Sequence, residues 1–222
     1  MQGSVPAVVA EAIGTFLFFF IAAGAALLAT GDPAAALLVV AIAHGVVLAV
    51  LVSSFGAVSG GHFNPAVTLG LLVAGKIDAV KGVVYMVAQL LGGAAAGFAL
   101  AYFLGDVTGA VPALGEGVDV TEGIIIEAIM TTVLLFAVFG TAVDSRGPKI
   151  GGLAIGLAVA VDILMGATLT GAAMNPARWF GLAVAAGDYD NWYVWWIGPF
   201  LGAIVVALLY RFLLSPPEEA EV

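Results

Sequence analysis

Two short stretches govern the interpretation of this sequence: SGGHFNPAVT at residues 59–68 and TGAAMNPARW at residues 170–179. In each, Asn-Pro-Ala opens an apolar segment, about 64–74 and about 175–186. Both segments are too short to cross a membrane, which takes roughly 20 residues. Asn is a good N-cap, and Pro suits the first helical position because its missing N–H would be unpaired there anyway. Each stretch therefore predicts a short helix with a fixed N-terminus, although one copy alone would indicate only an ordinary capped helix.

The composition indicates a membrane protein. Of the 222 residues, 63% are hydrophobic and 9% are charged, whereas a soluble domain carries about 25% charged residues. The sequence has no Cys and two His, which argues against thiol chemistry and multi-histidine metal sites, and we expect no cofactor. The polar tail at 215–222 is expected to be disordered. Apolar runs long enough to span a membrane lie near 7–29, 34–56, 82–104, 121–143, 150–169 and 192–214.

The two halves of the chain resemble each other, which indicates an internal repeat. Ala10-Glu11-Ala12-Ile13 recurs as Ile126-Glu127-Ala128-Ile129, and Asn64-Pro65-Ala66 recurs as Asn175-Pro176-Ala177. We expect one domain in which repeat one covers about 7–104 and repeat two about 121–214. Each repeat has an odd number of crossings, so the second enters the membrane inverted. The two short helices would then meet, N-terminus to N-terminus, near the midplane, where irregular backbone survives only beside a cavity or inside protein.

Paired helix N-termini at that depth predict a particular chemistry. They place two positive dipole ends at one point, and the side-chain amides of Asn64 and Asn175 can donate hydrogen bonds into the same space. Arg178 follows the second motif directly, and a charge at membrane depth indicates a functional site. The alternative for Arg178 is an ion pair with a carboxylate that serves packing alone.

These motifs, together with Glu11 and Glu127, resemble the signature loops of the aquaporin (major intrinsic protein) family over about residues 8–213. The resemblance implies an all-α membrane protein, with six transmembrane helices and two re-entrant half-helices in an inverted 3+3 repeat. It implies a homotetramer embedded in lipid, with one pore per subunit. The implied function is passive permeation of water with exclusion of protons and ions, without enzymatic activity or nucleic-acid binding.

The resemblance also implies a constriction formed by His44, Ile163, Ala172 and Arg178. Water-specific members have Phe and His at the first two of these positions. The set in this chain looks instead like that of plant tonoplast intrinsic proteins, several of which pass ammonia or other small neutral solutes as well as water. A facilitator of glycerol or other small polyols is the alternative function, and Ala183, Trp195 and Trp196 argue against it.

Other family roles carry over to the re-entrant loops. Glu11 and Glu127 would accept loop backbone N–H groups, with a proton relay as the alternative. Asp162, inside the fifth span, departs from the expected pattern; it could pair with a polar group, face a neighbouring subunit, be protonated, or be linked to His44. The expected ladder of carbonyl oxygens comprises Gly60, Gly61, His62, Gly171, Ala172, Ala173 and Met174.

Basic residues predict the orientation of the chain in the membrane. They cluster on one side of the six-span topology, which the positive-inside rule makes cytoplasmic together with both chain ends. We expect the cell membrane to be the location. The residues concerned are Lys76, Lys81, Arg146, Lys149 and Arg211.

Overall fold

Helices make up almost all of the computed structural model, which describes residues 4–150 and 152–214. The disordered tail predicted at 215–222 lies outside the described residues. Within them there are eight α-helices and a single turn of 3-10 helix at Thr108–Ala110. The α-helices are α1 (Ser4–Leu28), α2 (Pro33–Ser59), α3 (Pro65–Val73), α4 (Ala79–Leu104), α5 (Val120–Val138), α6 (Leu153–Thr170), α7 (Pro176–Ala186) and α8 (Val194–Leu209).

Six of these helices are long and apolar enough to cross a membrane, namely all except α3 and α7. Helices α5 and α8 each continue through a π-helical turn, Phe139–Val143 and Tyr210–Leu214. The predicted fold class, six spanning helices with two half-helices, is confirmed. The start of α4 was predicted three residues too late, because the side chain of Asp78 caps the helix by accepting from the Lys81 N–H at 2.9 Å.

Both half-helices begin where Asn-Pro places them. Asn64 is extended, with φ −156°, and its Oδ1 accepts from the Ala66 N–H at 2.8 Å. Asn175 has φ −152°, and its Oδ1 accepts from the Ala177 N–H at 3.0 Å. The side-chain oxygen of each asparagine thus accepts from the first turn of its half-helix, and the side-chain NH2 group is left for other partners.

Helix packing repeats between the halves. Helix α1 packs on α2 and α4, and α5 correspondingly packs on α6 and α8, while each half-helix packs on the last span of the opposite half. Glycines permit the closest crossings. A Cβ at Gly45 of α2 would lie 2.7 Å from the carbonyl oxygen of Gly156 in α6, so these backbones nearly touch. Small residues at helix crossings are typical of membrane bundles, because backbone contact replaces a hydrophobic driving force.

The connection between α5 and α6 is tied to the end of the chain's last helix. Arg146 Nη2 lies 2.6 Å from Asp144 Oδ2 and also donates to the carbonyl oxygen of Leu214 at 2.8 Å. Hydrogen bonds from the side chain and backbone of Arg146 lower the pKa of Asp144 from 3.8 to about 2. The same surface carries Arg211, whose Nη1 donates to the carbonyl oxygen of Val73 at the end of α3.

Candidate functional site

The two re-entrant loops meet through their asparagines. Asn64 Nδ2 donates to the carbonyl oxygen of Met174 at 2.9 Å, and Asn175 Nδ2 donates to the carbonyl oxygen of Phe63 at 3.0 Å. Each bond crosses from one repeat to the other and uses one of the two N–H groups of the amide. The second N–H of each remains, and both asparagines line a common cavity. Two donors therefore converge on one space at the point where two helices begin.

The cavity has a volume of about 280 Å³ and runs between the half-helices and the surrounding spans. One part reaches Lys76, just beyond the end of α3, and Val143, at the end of the α5 extension. Its polar lining comes from the loops and from side chains of α2 and α7, and its walls are mainly apolar. The lining includes Phe18, His44, Leu48, Val52, Gly60, Gly61, His62, Asn64, Val67, Leu134, Val138, Val159, Ala173, Met174, Asn175 and Arg178.

Glu11 holds the first loop by accepting four hydrogen bonds in the protein interior. Oε1 accepts from Ser59 Oγ at 2.6 Å and from the His62 N–H at 2.9 Å. Oε2 accepts from the Phe63 N–H at 2.7 Å and from Gln89 Nε2 at 2.8 Å. A buried carboxylate is stable only with such a set of donors.

Glu127 holds the second loop in the same manner with one donor fewer. Oε1 accepts from Thr170 Oγ1 at 2.6 Å and from the Ala173 N–H at 2.9 Å. Oε2 accepts from the Met174 N–H at 2.6 Å. These contacts match the support role predicted for both glutamates, and we retain that role as a proposal.

Arg178 and His44 both line the cavity. Arg178 is 7% exposed, and its Nη1 donates to the carbonyl oxygen of Ala172. His44 Nδ1 bonds the carbonyl oxygen of Val40 at 2.9 Å, which leaves Nε2 without a partner among the described residues. Arg178 Nε is also unpartnered there. The site thus presents uncommitted polar atoms from both residues.

The other two members of the predicted constriction, Ile163 and Ala172, are both buried. Ile163 is fully buried in α6, and neither it nor Ala172 belongs to the cavity lining. The Ala172 carbonyl is occupied by Arg178. Gly171, a member of the predicted carbonyl ladder, is likewise outside the cavity lining. The other ladder residues that belong to the lining are Gly60, Gly61, His62, Ala173 and Met174. The structure therefore brings together part of each predicted set.

Asp162 does not join this site. It is 5% exposed within a single chain. It lies outside the cavity lining, and Oδ2 has no hydrogen-bond partner among the described residues. The hydrogen bond of His44 goes to the Val40 carbonyl oxygen and not to Asp162. A direct link between these two residues has no support in the structure.

Several supporting residues were missed by sequence reasoning. Ser59 and Thr170 each lie five residues before their Asn and bond the repeat-equivalent glutamates. Tyr85 Oη donates to the Ser59 carbonyl oxygen and Trp195 Nε1 donates to that of Thr170, both at 2.9 Å. Alignment of the two repeats on their Asn-Pro-Ala motifs would have paired Ser59 with Thr170, but it places Tyr85 one residue out of register with Trp195.

The sequence matches the Major intrinsic protein family over residues 2–210. It is 44% identical over 220 residues to Aquaporin TIP4-1 of Zea mays, covering 95% of this chain and 86% of that protein. It is 42% identical over 216 residues to Aquaporin TIP2-1 of Arabidopsis thaliana, covering 93% and 86%. The chain therefore belongs to the major intrinsic protein family and is an integral membrane protein.

The fold recurs in a solved structure. An X-ray structure of the aquaglyceroporin from Plasmodium falciparum superimposes with a TM-score of 0.83, covering 96% of this chain and 98% of that one. The two sequences are 24% identical. At this distance the likeness supports the shared fold alone.

Proposed function

We propose that this protein is a passive channel for water that excludes protons and ions. The observation that carries the proposal is the pair of asparagines, each bonded to the opposite loop and each with a free N–H at one cavity. The names of the relatives, which are aquaporins, support the same assignment.

The geometry gives a mechanism for proton exclusion. A water molecule between Asn64 and Asn175 accepts from both amides. Its oxygen then cannot accept from neighbouring waters, so the oriented chain along which a proton would hop is interrupted there. A cation at the same point meets two positive helix ends and loses hydration, and aquaporin-type pores are a known example of this arrangement.

Arg178 and His44 form the polar part of the proposed constriction. The Arg178 guanidinium repels cations and donates to a passing oxygen atom, while His44 Nε2 offers a second polar contact. We propose ammonia as a second permeant, because an apolar wall with one imidazole admits a small neutral molecule that exchanges few hydrogen bonds. Glycerol is the less favoured alternative.

Permeability measurements on one preparation test the proposal. Proteoliposomes and empty vesicles would be compared by stopped-flow light scattering for water, by internal pH for ammonia, and by reswelling for glycerol. Fast water flux, low glycerol flux and no conductance in planar bilayers are the expected results. Water flux equal to that of bare lipid would refute the channel, and glycerol flux comparable to water would favour the alternative.

Assembly and placement are part of the same proposal. We propose a homotetramer with a pore in each subunit, and both chain ends in the cytoplasm because the basic residues gather there. We propose the cell membrane as the location, with the internal membrane suggested by the TIP names of the relatives as the alternative. Cross-linking, protease accessibility of terminal tags and membrane fractionation test these three points.

A further inference from the structure

The two re-entrant loops are supported by different kinds of side chain. In the first half, Thr68 lies four residues after Asn64, and its Oγ1 lies 3.0 Å from His62 Nδ1 and 2.9 Å from Gln89 Nε2. Gln89 also reaches Glu11. The first loop is therefore tied to its half-helix and to α4 by a buried polar network.

None of these three polar residues has a polar equivalent in the second half. Counting from Asn175, His62 corresponds to Ala173 and Thr68 to Trp179. Since Tyr85 and Trp195 are equivalent, Gln89 corresponds to Pro199. An indole ring stands where the first half has a hydroxyl at the centre of the network.

Trp179 is held by packing rather than by hydrogen bonds. It is 3% exposed, and its ring stacks on that of Trp195 with centroids 5.8 Å apart and planes 5° from parallel. Trp195 in turn donates from Nε1 to the carbonyl oxygen of Thr170, at the start of the second loop. Nε1 of Trp179 has no acceptor among the described residues, so the residue acts there through its shape.

Trp179 also shares a buried cluster with residues of the connection between α4 and α5. Trp179 belongs to one buried cluster with Ala173, Val107 and Val111. That connection also rests on the second loop directly, because Gly115 N–H donates to the Leu169 carbonyl oxygen at 2.8 Å. The indole therefore packs in one buried cluster with the Trp195 ring, the connection between α4 and α5, and the loop that ends at Asn175.

We propose that Trp179 is a positioning residue that sets the solute selectivity of the constriction, an inference that rests on the proposed channel function. Trp179 follows Arg178 in the first turn of α7, and Arg178 bonds the Ala172 carbonyl oxygen. Rigid packing on one side of this turn fixes where the guanidinium sits. Loss of the indole would let the turn and the loop relax into the vacated space and widen the passage.

Replacement of Trp179 by Thr, the residue at the equivalent position of the first half, tests this inference. The ratio of glycerol to water permeability in Trp179→Thr should rise by about fivefold, which corresponds to about 1 kcal/mol in the relative barriers. Trp179→Phe keeps a buried ring that can stack on Trp195 and should restore the ratio of the unmodified protein. Trp192→Ala, which removes an indole that is 52% exposed, should leave the ratio unchanged.

The outcomes separate the inference from the function on which it rests. An unmodified protein without fast water flux would remove the channel itself. Fast flux in the unmodified protein with an unchanged ratio in folded Trp179→Thr, verified by gel filtration, would refute only the positioning role. If Trp179→Thr does not fold, the test uses Trp179→Leu, which removes less of the side chain. A ratio of glycerol to water permeability in Trp179→Leu equal to that in Trp179→Phe would overturn the proposal.

Discussion

At the scale of single residues, the acidic side chains inside this protein differ in how fully their hydrogen bonds are satisfied. Glu11 accepts from four donors and Glu127 from three, whereas Asp162 has an oxygen without any donor among the described residues. Burial of such groups in hydrocarbon is costly unless donors surround them. We propose that the hydrogen bonds to the two glutamates both satisfy these buried groups and fix the geometry of the loops.

We expect Glu127→Ala to destabilise the protein severely. It leaves the Thr170 hydroxyl and the Ala173 and Met174 N–H groups without an acceptor, at about 1–3 kcal/mol for each buried group. Glu127→Gln keeps one acceptor oxygen and should lose less. Thermal unfolding in detergent measures the difference, with Glu116→Ala in an exposed loop as the control. Equal melting temperatures for Glu127→Ala and the control would contradict this role.

Ala172 offers the opposite experiment, a substitution that should stabilise. Its φ is +45°, a left-handed conformation that costs a non-glycine residue roughly 1–2 kcal/mol. Gly61, the equivalent residue of the first loop, has φ +65° and is already glycine. Ala172→Gly should therefore raise the melting temperature, after the greater chain entropy of glycine is deducted. A lower melting temperature would show that the Ala172 methyl group matters more than the backbone strain.

At the scale of elements, glycine positions decide how closely the spans cross. Gly45 and Gly156, which lie equally far before Ser59 and Thr170, face each other where α2 crosses α6. Gly93 of α4 meets α7 in a comparable manner, since a Cβ there would lie 2.5 Å from the Ala177 carbonyl oxygen. Close crossings at glycine therefore bring α2 against α6 and α4 against the half-helix α7.

Gly156→Val should separate α2 from α6. The added Cβ would overlap the Gly45 carbonyl oxygen and come within 2.8 Å of the Ala49 Cβ, and such overpacking typically costs about 1–3 kcal/mol. The matched control is Gly56→Ala in α2, where a Cβ meets nothing within 4 Å and helix propensity favours Ala by roughly 0.5–1 kcal/mol. Comparable unfolding temperatures for the two variants, measured in the same detergent, would argue against a tight crossing.

At the scale of the whole molecule, the side chain of Arg146 joins two distant parts of the chain. Arg146 binds Asp144 in the connection after α5 and reaches the Leu214 carbonyl oxygen at the end of the α8 extension. This contact lies on the face where basic residues gather, and Arg211 holds the end of α3 nearby. It is an exposed contact, so its contribution to stability is small.

The pH dependence of this contact follows from the lowered pKa of Asp144. Because the folded-state pKa is about 2 instead of 3.8, the contact is complete above pH 4 and is lost as the pH falls toward 2. Arg146→Gln should return the pKa of Asp144 toward its ordinary value, as measured by carbon-13 chemical shifts of labelled aspartate. Water permeability should be unchanged in this variant. A pKa that stays near 2 would assign the shift to another group.

Local pattern was enough to predict much of this protein. Apolar runs long enough to span a membrane, interrupted by Asn-Pro at two equivalent places, predicted the spanning helices and the half-helices, because helix length and capping depend on neighbouring residues. The equivalent positions of Glu11 and Glu127 in the two halves likewise followed from the repeat. These features required no knowledge of which helix packs on which.

Long-range contacts could not be obtained in this manner. That Asn64 donates to Met174, that Ile163 lies outside the cavity lining, and that Trp179 stacks on Trp195 depend on how distant segments approach each other. Spacing along the chain assigns a residue to a helix and a depth, but the direction of its side chain is fixed by packing among several helices at once. Packing also left Asp162 buried without a donor for Oδ2 among the described residues, which its apolar neighbours in sequence gave no means to foresee.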